Sequence, residues 1–260
     1  MYVKTVGKAI LPETNLFQVL ISEDDKSDLP DPLKPLAEDL CKALPYAKYS
    51  LWNNSMIIEL LKSEFDEKVY FAYRSLVPYA YRSDLARYCL LYHFGGWYFD
   101  LGTQLANSKR VVAPIDKSID MLFFWDLGDL FSPARGFYDC MNGIIFSRPA
   151  NPILKTAIDL VVDNCKNKFY GSDSMSPTGP GVLGRAIAIN GRGKNHYDGQ
   201  FLQLTPQHSQ ANRAYILRDG TIFAWHRSHF NDNENNLPSL GVKGGNNYRE
   251  LWRDHKVYAS

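Results

Sequence analysis

The sequence predicts an α/β fold built on a mixed, mostly parallel sheet with helices on both faces. Apolar segments of strand length alternate with longer segments of helix length along the chain, and this alternation is typical of strand–helix–strand units. A buried helix, a glycine turn and a short apolar strand follow one another before residue 102. No internal repeat and no linker-like stretch occurs, so we expect a single domain over residues 1–260.

The first quarter of the chain predicts two strands and two helices. Residues 15–21 form an apolar run of strand length. Residues 24–35 are polar and contain three prolines, which exclude a helix interior there. The further expected elements are a helix over 36–44, a strand over 47–52 and a helix over 55–65 that Asn53 and Asn54 can cap.

The chain beyond residue 102 also alternates between strands and helices. Residues 127–141 contain glycine and proline and predict a loop between two strands. The expected elements are strands at 119–126 and 142–147, a helix to about residue 168, a helix over 182–190, strands at 200–204, 215–217 and 222–225, and a short helix over 248–253.

Composition narrows the class of protein. Lys and Arg number 29 against 28 Asp and Glu, whereas nucleic-acid-binding domains usually carry a basic excess, so we expect no nucleic-acid partner. Four cysteines without a C-x-x-C pair indicate reduced core residues. No window of about 18 apolar residues exists and residues 1–8 lack a signal-peptide core. We therefore expect a cytoplasmic protein without a transmembrane segment, although the sequence leaves open an anchor outside this stretch.

The helix before residue 95 is apolar nearly all round, which predicts burial. It nevertheless carries Asp84 and Arg87 near its start. Residues three apart share one face of a helix, so both charged side chains can point at the same place. Taken alone, they could form an ordinary helical ion pair.

A glycine pair, Gly95 and Gly96, ends this helix, because glycine adopts the left-handed cap conformation at little cost. The apolar strand 97–99 follows, and Asp100 comes directly after it. Ligands of open α/β sheets bind at the carboxyl ends of the strands. The sequence therefore predicts that Asp100 joins the two helix charges in one cleft, although Asp100 alone could simply cap a turn.

The whole pattern is more specific than its parts. R-S-D-x-x-R-Y at 82–88, then G-G-x-Y and x-D ending at residue 100, resembles the donor-site signature of glycosyltransferase family 32, whose members carry a DXD motif. It is also similar to the core of the large clostridial glucosylating toxins. The resemblance is tight over residues 81–102 and looser elsewhere. It implies a GT-A fold, with 1–105 as the nucleotide-sugar-binding half and 106–260 as the acceptor-side half and closing segment.

The resemblance also implies roles for single residues. Asp84 and Arg87 would hold sugar hydroxyls, and Asp100, supported by Tyr98, would bind the ribose, a metal-bound water or both. The segment N-G-I-I-F-S at 142–147 also resembles the family and would place the Asn142 amide close to the sugar, although a turn-capping Asn is common. The further donor-binding candidates are Arg82, Ser83, Gly102 and Thr178, the last within a T-G-P triplet.

The sequence departs from the family at the second DXD carboxylate, where Gly102 stands. Glycine has no side-chain oxygen, and Mn²⁺ and Mg²⁺ need oxygen-rich sites. Three alternatives stay open. A metal could be held by Asp100 together with His226, His229 or Asn231; the enzyme could use no metal; or catalysis could be lost. The H-x-x-H spacing of the two histidines is by itself a poor metal signal.

We therefore expect a glycosyltransferase of polysaccharide-biosynthesis type. Its donor would be a nucleotide-diphosphate sugar, preferably a UDP-sugar, and its acceptor a glycan or a lipid-linked or protein-linked hydroxyl. The resemblance implies retention of anomeric configuration. The alternative is an inactive protein that binds nucleotide sugars or glycans. A hydrolase is less favoured, because it needs two carboxylates across the scissile bond.

Overall fold

The computed structural model describes residues 14–106, 118–127, 139–204, 213–226, 242 and 246–259. Within these ranges, nine strands form one sheet in the order β2-β1-β3-β6-β5-β7-β8-β9-β4. The strands are, in chain order, β1 (Thr14–Val19), β2 (Ala47–Trp52), β3 (Gly96–Phe99), β4 (Gln104–Leu105), β5 (Met121–Asp126), β6 (Cys140–Ser147), β7 (His196–Gln203), β8 (Arg213–Ile216) and β9 (Ile222–Trp225).

Helices surround this sheet. In the described ranges they are α1 (Lys34–Ala43), α2 (Asn54–Glu64), α3 (Glu67–Ser75), α4 (Tyr79–Phe94), α5 (Pro152–Lys166), α6 (Pro180–Asn190) and α7 (Tyr248–Arg253), with one 3₁₀ turn at Asp31–Leu33 before α1. Side-chain caps start several of them. Asn53 accepts from the Met56 amide at the start of α2, and Asn151 does the same for Ile153 at the start of α5.

The sheet is mixed. β1 pairs in parallel with β2 and with β3, and β5 pairs in parallel with β7. The other described pairings, from β3 with β6 through to β9 with β4, are antiparallel. The α/β class predicted from the sequence is confirmed, with parallel pairing at β2-β1-β3 and at β5-β7.

The sheet also curls strongly. β9 lies five positions from β3 in the strand order, which would separate the two by about 24 Å in a flat sheet. Instead, the ring of Phe223 on β9 stacks at 6.0 Å on Trp97 of β3. The curl therefore brings the C-terminal strands back over the strand that ends at Asp100.

Two apolar cores lie on opposite sides of the sheet. The larger core packs helices α2 to α6 against one face. The second core fills the inside of the curl with aromatic rings and is closed by α1. Its largest fully buried members are Trp97, Phe99, Phe124 and Tyr215. Helices thus cover both faces, as the sequence predicts.

The structure differs from the sequence-based expectations at several elements. Helix α3 was not predicted, although its buried residues Val69, Ala72 and Tyr73 follow helical spacing after an Asp66 cap. β6 begins at Cys140 and not at residue 142. β7 begins at His196 and not at residue 200, because pairing with β5 extends it through a polar, half-buried segment.

In the described part of the chain, no helix is both long enough and apolar enough to cross a membrane.

The glycine turn between α4 and β3 has a steric requirement. Gly96 has a φ of +116°, and a side chain there would collide with the backbone of Asn15 on β1. We expect Gly96→Ala to lower the free energy of unfolding by about 2 kcal/mol or more, since backbone strain adds to the clash. Gly191→Ala is the control, because Gly191 also has positive φ but a Cβ there meets nothing within 4 Å; it should cost about 1 kcal/mol. Equal losses in urea unfolding would contradict the steric account.

Candidate functional site

A buried arginine lies at the centre of the site. The side chain of Arg87 is 6% exposed, and a buried charge is costly unless it is paired. Its Nη2 lies 3.1 Å from Oδ1 of Asp84, and its Nη1 lies 3.1 Å from Oδ1 of Asp100. One guanidinium thus joins helix α4 to the end of strand β3, and the predicted convergence of these three charges is present in the structure.

The remaining donors of Arg87 are also engaged. Nη1 donates to the Asn142 carbonyl at 2.8 Å, while Nε and Nη2 donate to the carbonyl and hydroxyl of Ser83, each at 3.2 Å. The guanidinium carbon lies 4.5 Å from the centre of the Tyr98 ring, within cation–π range. These contacts fix Arg87 in one orientation. Its role in the site is therefore to position the neighbouring side chains.

Asp84 accepts hydrogen bonds on both carboxylate oxygens. Nδ2 of Asn142 donates to Oδ1 at 2.9 Å, and Oγ1 of Thr178 donates to Oδ2 at 2.8 Å. Helix α6 begins beside this carboxylate, since a Cβ on its N-cap, Gly179, would lie 3.3 Å from Oδ2. The positive end of a helix favours an anion at this place.

Asp100 is the most exposed of the three charged side chains, at 19% against 13% for Asp84. The Tyr98 hydroxyl donates to its Oδ1 at 2.8 Å, so this oxygen is shared between Tyr98 and Arg87. Its backbone amide donates to the Gly143 carbonyl at 2.7 Å. Asp100 is therefore fixed by one oxygen and by its backbone, and its Oδ2 is directed to Gly143, where a Cβ would lie 2.9 Å away.

Tyr88 is a site residue that sequence reasoning missed. Its hydroxyl accepts from Nδ2 of Asn142 at 3.0 Å and lies 3.1 Å from the Thr178 carbonyl, to which it can donate. Tyr88 lies four residues after Asp84, on the same helix face, so the R-S-D-x-x-R-Y pattern contained a signal for it.

Burial sets the protonation behaviour of the cluster. Burial raises the pKa of Asp84, while Arg87, Thr178 and Asn142 oppose this rise. Burial alone would lower the pKa of Arg87, but Asp100 and the other acidic neighbours raise it, so the guanidinium stays charged. One guanidinium thus faces two carboxyl groups, whose oxygens can accept from hydroxyl groups or bind a cation.

The other predicted site residues lie in different surroundings. Arg82 points away from the cluster: its Nε donates to the Leu76 carbonyl at 2.7 Å, and its guanidinium lies near the Tyr73 and Tyr79 rings. Gly102 has a φ of +81° in the turn that follows Asp100. The half-buried His226 packs edge-on at 5.6 Å from Phe201. The predicted metal ligands His229 and Asn231 lie outside the described residues.

The described residues do not by themselves form a metal site. Among them, no group of three or more His, Cys, Asp or Glu side chains is arranged to hold an ion. Asp100 offers one carboxylate and Gly102 none, whereas Mn²⁺ and Mg²⁺ prefer several oxygen ligands.

The three charged residues lie in a stretch of the chain that matches a known family model. A family model described as "glycosyltransferase sugar-binding region containing DXD motif" matches residues 30–119, which include Asp84, Arg87 and Asp100. An uncharacterized glycosyltransferase of Acanthamoeba polyphaga mimivirus is 27% identical over 125 residues, 48% of this chain and 46% of that protein. The chain thus spans about half of the length of this relative.

Among solved structures, the PaToxG glycosyltransferase aligns with 69% of each chain, at 17% identity and a TM-score of 0.49. The family match and the mimivirus relative are thus both of glycosyltransferase type.

Asp84 and Asp198 should have pKa values on opposite sides of the usual value of 3.8 for an aspartate. Burial raises the pKa of Asp84. Burial would also raise that of Asp198, but Arg218, Trp125 and Arg192 outweigh it and lower the pKa. We expect ¹³C NMR titration of the carboxyl carbons to give a midpoint above 3.8 for Asp84 and below 3.8 for Asp198.

Proton linkage gives the direction in which each of these two aspartates changes the stability of the fold with pH. The folded state binds the Asp84 proton more tightly than the unfolded chain does, so ionisation of Asp84 lowers stability as the pH rises through its pKa. Asp198 adds stability that is lost as the pH falls through its lowered pKa. An Asp84 midpoint at or below the Asp198 midpoint would contradict the assigned causes.

Proposed function

We propose that this protein transfers a sugar from a nucleotide-diphosphate sugar, preferably a UDP-sugar, to a hydroxyl of a glycan or of a lipid-linked or protein-linked acceptor. One observation carries the proposal. Arg87 lies 3.1 Å from both Asp84 and Asp100 at the carboxyl end of β3, inside the region that the sugar-binding family model matches. Ligands of α/β sheets bind at this edge.

Glycosyl transfer breaks the bond between the anomeric carbon and a phosphate oxygen of the donor. The sugar must be oriented so that the acceptor hydroxyl meets the anomeric carbon. Asp84 suits this task, because both of its oxygens are already oriented by Asn142 and Thr178, and a carboxylate accepts from sugar hydroxyls. The donors of Arg87 are engaged within the protein, so Arg87 acts by orienting the two carboxylates.

Asp100 would contact the other end of the reacting group. Its Oδ1 is held by Tyr98 and Arg87, whereas its Oδ2 lies beside Gly143. A ribose hydroxyl or a divalent cation at the diphosphate are ligands of matching chemistry. When bound, a Mn²⁺ or Mg²⁺ ion would stabilise charge on the leaving diphosphate. The resemblance to retaining transferases supports retention of configuration.

A second function is favoured by Gly102. The position that carries the second DXD carboxylate in the resembling family has no side chain here, and its φ of +81° suits glycine better than other residues. A protein with this change could bind a nucleotide sugar without transferring it.

The direct test is release of nucleoside diphosphate from a panel of nucleotide sugars, with and without Mn²⁺. We expect release with at least one UDP-sugar. Asp84→Asn should lower the rate about 10²-fold, because it removes a charged acceptor from the donor site. The control is Asp159→Asn, at an exposed aspartate that pairs with Lys155 on α5, and its rate should match that of the unmodified protein.

The outcomes separate the two functions. Binding of a nucleotide sugar without any release would favour the binding protein over the transferase. Neither binding nor release with any donor would exclude both. Full activity of Asp84→Asn would show that the site is wrongly placed.

A further inference from the structure

We propose that Gly143 is a positioning residue that sets the direction of the outer carboxylate oxygen of Asp100, with Tyr215 as the rigid wall behind it. The inference rests on the proposed function, because it concerns how Asp100 meets the donor. Gly143 lies beside Asp100 because β6 pairs directly with β3. Tyr215 lies on the distant strand β8 and reaches the site through the curl of the sheet.

The need for glycine at position 143 is steric. Gly143 is absent from the glycines with positive φ, so its backbone would accept an alanine without conformational strain. A Cβ there, however, would lie 2.5 Å from the Tyr215 hydroxyl and 2.9 Å from Oδ2 of Asp100. Real Cβ atoms essentially never approach other atoms this closely, so an added methyl group must displace one of the two side chains.

Tyr215 cannot move easily. It is fully buried, and its ring packs at 4.7 Å from Phe201 and 5.1 Å from Phe124. Its backbone pairs with Phe201 of β7 and with Ala224 of β9. Protein interiors are close-packed, so a shift of this ring would disturb the whole core inside the curl.

Asp100 is the side chain that an added methyl group at position 143 would displace. It is 19% exposed, so it is less confined than Tyr215 and can rotate away from Gly143. Such a rotation carries Oδ1 away from the Tyr98 hydroxyl and from Arg87, which lie at 2.8 and 3.1 Å. An alanine at 143 would therefore misdirect both oxygens of Asp100 while leaving the Asp84 contacts with Asn142 and Thr178 in place.

The experiment compares Gly143→Ala, Tyr215→Phe and the double variant by the kcat and KM of nucleoside diphosphate release with the donor that the unmodified protein uses. We expect Gly143→Ala to lower kcat/KM roughly 10- to 100-fold, since a displacement of about 1 Å has such effects. Tyr215→Phe removes the closer of the two contacts and should have a smaller effect. The double variant should recover part of the lost activity, because the methyl group then has room away from Asp100.

Gly181→Ala is the control, because a Cβ at Gly181 makes an ordinary contact, with Asp139 at 3.4 Å. Its kcat/KM should equal that of the unmodified protein. A merely structural role of Gly143 predicts lower thermal stability with unchanged kinetics of the folded protein and no recovery in the double variant. That result would overturn the proposal, as would full activity of Gly143→Ala.

A second readout separates this inference from the proposed function. Crystal structures of the unmodified protein and of Gly143→Ala should differ in the Asp100 side chain, with its link to Tyr98 broken in the variant. If no donor is turned over, the proposed function fails and the two structures still decide the role of Gly143. If the variant alone does not fold, the double variant provides the comparison. An Asp100 carboxylate in the same place in both proteins would refute the positioning role.

Discussion

The site depends on the pairing of one buried guanidinium. Arg87 would be strongly destabilising without partners, because an unpaired buried charge costs about 3–5 kcal/mol. Its contacts to Asp84, to Asp100 and to the Asn142 carbonyl supply the partners that this buried charge requires. They also tie α4 to the ends of β3 and β6, so the interaction that stabilises the buried charge is the one that fixes both carboxylates. Stability and site geometry therefore rest on the same atoms.

The curl of the sheet provides the second constraint. Strand β9 comes late in the described chain, yet its Phe223 stacks on Trp97 and Phe99 of β3. This core supports β3 from behind, and it places Tyr215 next to the residue opposite Asp100. The proposed donor side is thus built from the local helix–turn–strand unit on one side and from distant strands on the other.

The sequence predicted the parts of the site that depend on local geometry. The spacing of three residues predicted that Asp84 and Arg87 share one face of the helix. Ligands of α/β sheets bind at the carboxyl ends of strands, and this predicted that Asp100 lies beside them. Arg82 was predicted as a donor contact, but it lies two positions from Asp84 and hence on a different face of the helix, where it bonds to Leu76. Tyr215 had no local signal at all, because its position depends on how far the sheet curls. The mixed α/β class was predictable from the alternation of elements, whereas the direction of the later strands was not.

The central claim is that the guanidinium of Arg87 holds both carboxylates in position for a sugar donor. Arg87→Lys tests it most directly, because lysine keeps the charge but lacks the planar fork that reaches two partners at once. We predict that Arg87→Lys lowers the rate of nucleoside diphosphate release at least ~10²-fold. The control is Arg74→Lys, at an exposed position on α3, and its rate should be unchanged. Release by Arg87→Lys within threefold of the unmodified protein would contradict the claim.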